Sequence, residues 1–200
     1  PDGKSLALSL NTPVSPTDIY ELGLDTGRMV GWTRSETAGL DQDQFVEPEL
    51  FAYETFDERK IPAFMYSPPG PGPHPVLISI HGGPESQYRP FFSTTIQSYV
   101  RELGLAYIAP NVRGSAGYGK SYLKLDNGML REDSVRDIGS LLDWIDGQEH
   151  LDQSRIIVMG GSYGGYMVLA SMVHYGSRLR AAVERVGISN FVTFLENTQP

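Results

Sequence analysis

The sequence has 200 residues, of which 40% are hydrophobic, with 11 tyrosines and 8 phenylalanines; that is material for a packed core and excludes a disordered chain. Sixteen basic residues against 24 acidic ones leave a net charge of −8, and with no basic stripe on any segment this excludes a nucleic-acid surface. The absence of cysteine excludes disulfide scaffolds, zinc–thiolate sites and thiol catalysis, and no apolar run reaches the ~18 residues of a membrane helix.

In chain order, Pro1-Asp2-Gly3-Lys4 reads as a turn inside a larger protein. Short strands follow: Leu6-Ala7-Leu8-Ser9-Leu10 alternates, as does Asp18-Ile19-Tyr20-Glu21-Leu22-Gly23-Leu24, which ends at the turn Asp25-Thr26-Gly27. Arg28–Thr33 is a third strand. This order resembles one blade of a β-propeller, a unit that cannot bury both its faces alone. We therefore expect residues 1–47 to be the last blade of a propeller whose other blades lie upstream.

The character changes at Pro48. Residues 50–56 and 60–66 read as a hairpin about Asp57-Glu58-Arg59, with Pro62 suggesting an edge position. Ser67–Pro73 is a surface loop. From there strands and helices alternate: a continuous apolar strand at Val76–Ile80, a helix from Phe91 to Leu103 ended by Gly104, and a strand at Leu105–Ala109. The clearest helix covers 131–146, where Val135, Ile138, Leu141, Leu142 and Ile145 share one face and Gly147 is the stop. Arg155–Met159 is the next strand, 163–175 a helix, and Ala181–Val186 a further strand. Alternation at this spacing means an α/β architecture with a mainly parallel sheet flanked by helices.

Between the last long helix and the strand before it lies Gly160-Gly161-Ser162-Tyr163-Gly164. Strand, tight glycine turn, helix, with serine at the apex, is the context in which G-x-S-x-G means a nucleophile elbow. The turn should leave no room for Cβ atoms and can demand positive φ at its glycines. Ser162 is the candidate catalytic nucleophile. A second motif, His81-Gly82-Gly83-Pro84, ends the Val76–Ile80 strand, the place from which hydrolases of this class draw one oxyanion donor. The candidate donors are the N–H groups of Gly83, with Gly82 as second choice, and of Tyr163.

A serine hydroxyl needs a histidine held by a carboxylate, in the chain order serine, acid, histidine. After Ser162 there is no aspartate, and the only histidine is His174. Twelve helical positions separate the two, ~18 Å at 1.5 Å per residue, too far for proton transfer. His81 precedes the serine and is expected to be a structural imidazole bonded to nearby backbone; His74 and His150 have loop-like neighbours. No set of side chains has metal-ligand spacing, Asp41-Gln42-Asp43 lacks the rest of a calcium loop, and no cofactor is implied. Gly114–Ser121 matches the G-x-x-x-x-G-K-[ST] string of a phosphate-binding loop, but Pro110–Arg113 separates it from the strand before it. Tyr163, Tyr166 and Tyr118 are candidates to line a substrate pocket.

Gly160–Tyr166, His81–Pro84 and Asn111–Gly119 together resemble the prolyl oligopeptidase family of serine peptidases, most closely its acylaminoacyl-peptidase-like branch. The resemblance implies an α/β-hydrolase catalytic domain capped by a propeller that restricts access to short peptides. It also implies Ser162 as nucleophile, Gly83 and Tyr163 as oxyanion donors, and residues 48–200 as the first two-thirds of that domain. The family's acid and base would lie beyond Pro200, so we expect a fragment that is inactive alone. Its partners would be a short peptide substrate and the rest of its own propeller and catalytic domain, with homo-oligomerisation left open, no nucleic acid, no membrane, and a cytoplasmic setting. The rival activities are an esterase of the same fold and a nucleotide-binding protein using Gly114–Ser121.

Overall fold

A computed structural model of the chain describes residues 3–37 and 39–198, so Pro1 and Asp2 of the opening turn lie outside the described residues. Three strands come first: β1 (Ser5–Thr12), β2 (Ser15–Gly23) and β3 (Met29–Gly31), paired antiparallel in that order as a separate sheet. The third strand is shorter than the alternation of residues 28–33 predicts, because side-chain bonds take over from the ladder there. The buried Asp18 carboxylate accepts from Thr33 Oγ1 (2.7 Å), Ser35 N (2.9 Å) and Ser35 Oγ (3.1 Å). The Thr33 bond leads the set of donors that holds the Asp18 pKa below the usual carboxylate range.

The second sheet has six strands in the order β4–β5–β7–β6–β8–β9. Its members are β4 (Glu49–Glu54), β5 (Lys60–Tyr66), β6 (His74–Ile80), β7 (Ala106–Pro110), β8 (Leu151–Gly161) and β9 (Ala181–Arg185). Only the β7–β6–β8–β9 part is parallel; β4 and β5 join antiparallel, so the sheet is mixed rather than parallel throughout.

Pro62 corrects an expectation, since β5 is an inner strand with β4 on one side and β7 on the other. The Pro62 carbonyl accepts from Asn111 N at 2.8 Å, so the missing N–H faces the Asn111 carbonyl. That carbonyl accepts instead from the Tyr122 hydroxyl at 2.6 Å. A side chain thus replaces the one ladder donor that proline cannot supply.

The helices are α1 (Thr94–Arg101), α2 (Lys120–Leu123), α3 (Arg131–Asp146), α4 (Tyr163–Tyr175) and α5 (Phe191–Asn197). Helix α1 starts three residues later than its apolar pattern suggests, where the Ser93 hydroxyl caps it by accepting from Ile96 N at 3.3 Å. The period-2 geometry of a strand explains why the inner strands read as unbroken apolar runs. Val76, Ile78, Ile108, Ile156 and Val158 face α3 and α4, where they pack with Val135, Ile138, Leu141, Leu142, Met167 and Val168. Leu77, Tyr107 and Ile157 face the other way, toward Ile96 and Val100 of α1.

The two sheets are tied through α1. The buried Gln97 amide donates to Pro13 O (3.3 Å) and Val46 O (2.9 Å) while its oxygen accepts from Val46 N (2.9 Å). Phe92 N adds a bond to Asn11 Oδ1 at 2.9 Å. Among the described residues no helix is long and apolar enough to cross a membrane.

Candidate active site

The end of β8 and the start of α4 are separated by one residue, Ser162, whose φ of 56° and ψ of −120° lie outside the regions that side chains favour. Ser162 is exposed, and its N–H donates to Arg185 O at 2.9 Å, which pins the turn to β9. The glycines around it do not carry the positive φ; the serine does. What the glycines supply is space. A Cβ on Gly164 would enter the Ile80 carbonyl, one on Gly160 the Gly164 carbonyl, and one on Gly165 would lie 2.6 Å from Gly187 Cα. Helix α4 is therefore packed backbone to backbone against β6 and the turn after β9, and the strain falls on the residue at the apex.

The loop after β6 passes over that apex. A Cβ built on Gly82 would sit 3.4 Å from Ser162 Cβ and 3.9 Å from Ser162 Oγ. Gly83 has φ 130°, and a Cβ there would lie 2.8 Å from Glu85 N, so only glycine fits. Tyr163 is the first residue of α4, where helix geometry leaves the N–H without an intrahelical acceptor. Gly83 and Tyr163 border one apolar cavity of about 720 Å³, open to solvent and lined also by Tyr166, Phe191, Phe194 and Leu195.

His81 is held at both ring nitrogens: Nδ1 lies 2.7 Å from Gly82 O and Nε2 2.8 Å from Ser115 Oγ, which is also 2.6 Å from Val112 O. Burial lowers its pKa. The ring braces the loop that overlies Ser162, the structural part that its place ahead of the serine anticipates. His174 sits at the far end of α4 with Nε2 3.2 Å from Glu132 Oε2. The His74 ring lies 3.3 Å from Gly70 O, and the His150 carbonyl accepts from His74 N at 2.9 Å.

Of the three tyrosines, Tyr163 and Tyr166 reach the cavity and Tyr118 does not; its hydroxyl accepts from Asn111 Nδ2 at 2.8 Å. The Tyr163 ring borders the cavity, but its hydroxyl is buried beneath it, donating to Asp126 Oδ2 (3.0 Å) and lying 2.9 Å from Ser134 Oγ. Burial raises the pKa values of both Tyr163 and Asp126. The string Gly114–Ser121 leads only into the four-residue α2, and Gly117 is filled against Gln87, so it lacks the long helix whose N-terminus would hold a phosphate.

Arg113 belongs to a different cluster. Its buried guanidinium meets Asp137 Oδ1 at 2.7 Å and Asp57 Oδ1 at 3.0 Å, and its N–H donates to Asp137 Oδ2 at 2.9 Å. Asp137 also accepts from Thr55 Oγ1 at 2.8 Å. Although burial works against the cation, the two carboxylates raise the Arg113 pKa above its ordinary value. This cluster joins the β4–β5 turn, the segment after β7 and α3.

The cavity wall from α5 and the charged pair at the start of α3 escape sequence reasoning. The Phe191-x-x-Phe194-Leu195 spacing is a helical signal for the wall. Arg131 has no such signal: its guanidinium lies 5.1 Å from the Tyr163 ring centroid and 5.4 Å from that of Phe191.

Comparison with known proteins gives a consistent set of likenesses. The profile described as the prolyl oligopeptidase family matches residues 90–199, more than half of the chain. An uncharacterized peptidase of Bacillus subtilis, YuxL, is 29% identical over 204 residues, which take in 97% of this chain and 30% of YuxL. The human acylamino-acid-releasing enzyme is 28% identical over 152 residues, 76% of this chain and 21% of that enzyme. A solved puromycin-hydrolyzing peptidase of Mycobacterium tuberculosis superposes with a TM-score of 0.85 at 23% identity, covering 100% of this chain and 31% of that one. That last likeness is one of fold. The chain thus spans a third or less of the length of these relatives.

Proposed function

This chain belongs to the prolyl oligopeptidase family, and from that premise we propose that it carries the nucleophile and oxyanion hole of a serine peptidase cleaving short peptides through an acyl-enzyme. The observation that carries the reading is Ser162 itself: an exposed hydroxyl on a strained residue between a strand and a helix, under the loop of Gly82 and Gly83. In the proposed reaction Ser162 Oγ bonds to the scissile carbonyl carbon while a histidine takes the hydroxyl proton. The negative oxygen is held by the N–H groups of Gly83 and Tyr163, each donor worth ~3 kcal/mol of transition-state stabilisation. The C–N bond then breaks, the histidine returns the proton to the leaving amine, and water releases the acyl group.

The acid and the histidine come from other parts of the same polypeptide, and the 200 residues alone are inactive. We read residues 1–47 as a propeller blade, supported by the three-stranded antiparallel meander, and residues 48–200 as part of an α/β-hydrolase domain. The apolar cavity beside Gly83 and Tyr163 takes the side chain that precedes the cut bond. The test is covalent labelling of the full-length protein with a fluorophosphonate. The expected adduct maps to Ser162 and is lost in Ser162→Ala; an unlabelled wild type, or a label elsewhere, overturns the reading. Turnover of a peptide amide together with its matching ester separates a peptidase from an esterase.

A further inference from the structure

Arg131 stands out among the residues that border the cavity. The rest of the wall is apolar apart from Glu132, and the Glu132 carboxylate is already used: Oε1 accepts from Tyr166 Oη at 2.9 Å and Oε2 lies 3.2 Å from His174 Nε2. The Arg131 guanidinium instead lies over the faces of Tyr163 and Phe191. Among the described residues no hydrogen bond or ion pair joins it to a carboxylate. Two other acids are near. Asp126 feels the Arg131 charge, but its Oδ2 accepts from the Tyr163 hydroxyl and its Oδ1 is buried with no donor against it, the guanidinium included; Glu85 borders a neighbouring recess with Arg131 without pairing to it.

Helix stability does not account for the residue. Arg131 is the first residue of α3, the end at which the helix dipole disfavours a cation, while Glu132 and Asp133 in the same turn are the favourable charges. Ring contacts hold a guanidinium plane but leave its N–H edges to find acceptors, and a half-buried cation with free donors binds a carboxylate in the strongest of its hydrogen-bond geometries.

We infer that Arg131 makes this cavity select peptides with an acidic residue, glutamate above all, before the cut bond, its guanidinium receiving the side-chain carboxylate while Tyr166, Phe191 and Phe194 cover the methylenes. The inference rests on the reading of Ser162 as nucleophile and adds a specificity-determining residue to it. Arg131 touches the substrate side chain and takes no part in the bond rearrangement.

The test uses full-length protein and dipeptide p-nitroanilides, free and N-acetylated, that differ only in having Glu, Leu or Lys before the anilide. For the wild type, kcat/KM for Glu should exceed that for Lys by about tenfold or more, the scale of one charge-assisted hydrogen bond. Arg131→Met should lower the Glu-to-Leu ratio by about tenfold or more, and Arg131→Glu should reverse the order of Glu and Lys. A wild type that cleaves Lys as well as Glu overturns the inference without any variant. So does a Glu-to-Leu ratio unchanged in an Arg131→Met protein that still takes up fluorophosphonate, because a merely structural arginine would lower both substrates together. Failure of the wild type to label at Ser162 is a different result, which overturns the nucleophile and the inference with it.

Discussion

Two strands of the main sheet, one on each side of β6, end in opposite ways. Past β7 the chain enters a cluster in which Arg113 and Asp137 are buried and bonded to each other, to Asp57 and to Thr55. Past β8 it turns through Ser162, exposed, at a φ of 56°, with its side chain bonded to nothing among the described residues. One region is saturated with partners, and the other is strained and open. The contrast matches a general division of labour: strain survives only where the surroundings over-determine it, and a reactive group must be left unpaired. The saturated turn is part of what over-determines the open one, since Ser115, two residues after Arg113, braces His81 and so the loop above Ser162.

Breaking the saturated side should have the largest effect. Asp137→Ala leaves buried Arg113 with the partly exposed Asp57 and with Asp133 at 4.0 Å, and a loss of about 3 kcal/mol is expected in urea unfolding; a loss under about 1 kcal/mol would mean that water reaches the cluster. Next comes the backing of the open side. Gly165→Ala forces a methyl into Gly187, and because both contacts are backbone neither can move aside cheaply. About 2 kcal/mol should go, together with fluorophosphonate reactivity. An Ala variant that unfolds and labels like wild type would show that α4 can shift outward.

Ser162→Gly has the opposite sign. Glycine accepts positive φ, so removing the side chain should stabilise the protein by about 1 kcal/mol even as fluorophosphonate labelling is lost. An unchanged or lowered midpoint would show that the turn is not strained. The smallest effect belongs to His81. Its folded pKa lies below the ordinary 6.5, so the unfolded chain binds the extra proton. The stability it contributes is present above pH 6.5 and falls away as the pH drops from there through the folded pKa. His81→Gln should flatten that part of the stability–pH curve, where one proton accounts for a slope of at most about 1.4 kcal/mol for each pH step of one. A curve with the same slope would assign the acid sensitivity elsewhere.

Legibility in the sequence depends on whether a residue's role is local. The strand–Ser162–helix order, the core face of α3 and the bounds of α4 follow from spacing alone, since periodicity and turn chemistry are written in consecutive residues. Pro62 misleads because its rescue comes from Tyr122, sixty positions away, and a local rule cannot see a donor supplied by another segment. The turn glycines invite a reading of positive φ when their function is close approach to Ile80 and Gly187, again partners distant in sequence. Arg131 and Phe191 meet only in space. The elbow can be found from one motif, whereas the wall of its cavity is assembled from α3, α4 and α5.

Gln97 has a mechanical consequence for the strand unit of residues 5–31. One amide satisfies Pro13 and both polar groups of Val46, with the Gln97 side chain buried and its two partners half-buried. None of these bonds can lengthen gradually without stranding its partner, so the unit should not rock in small increments. It stays seated, or it parts along the whole seam at once.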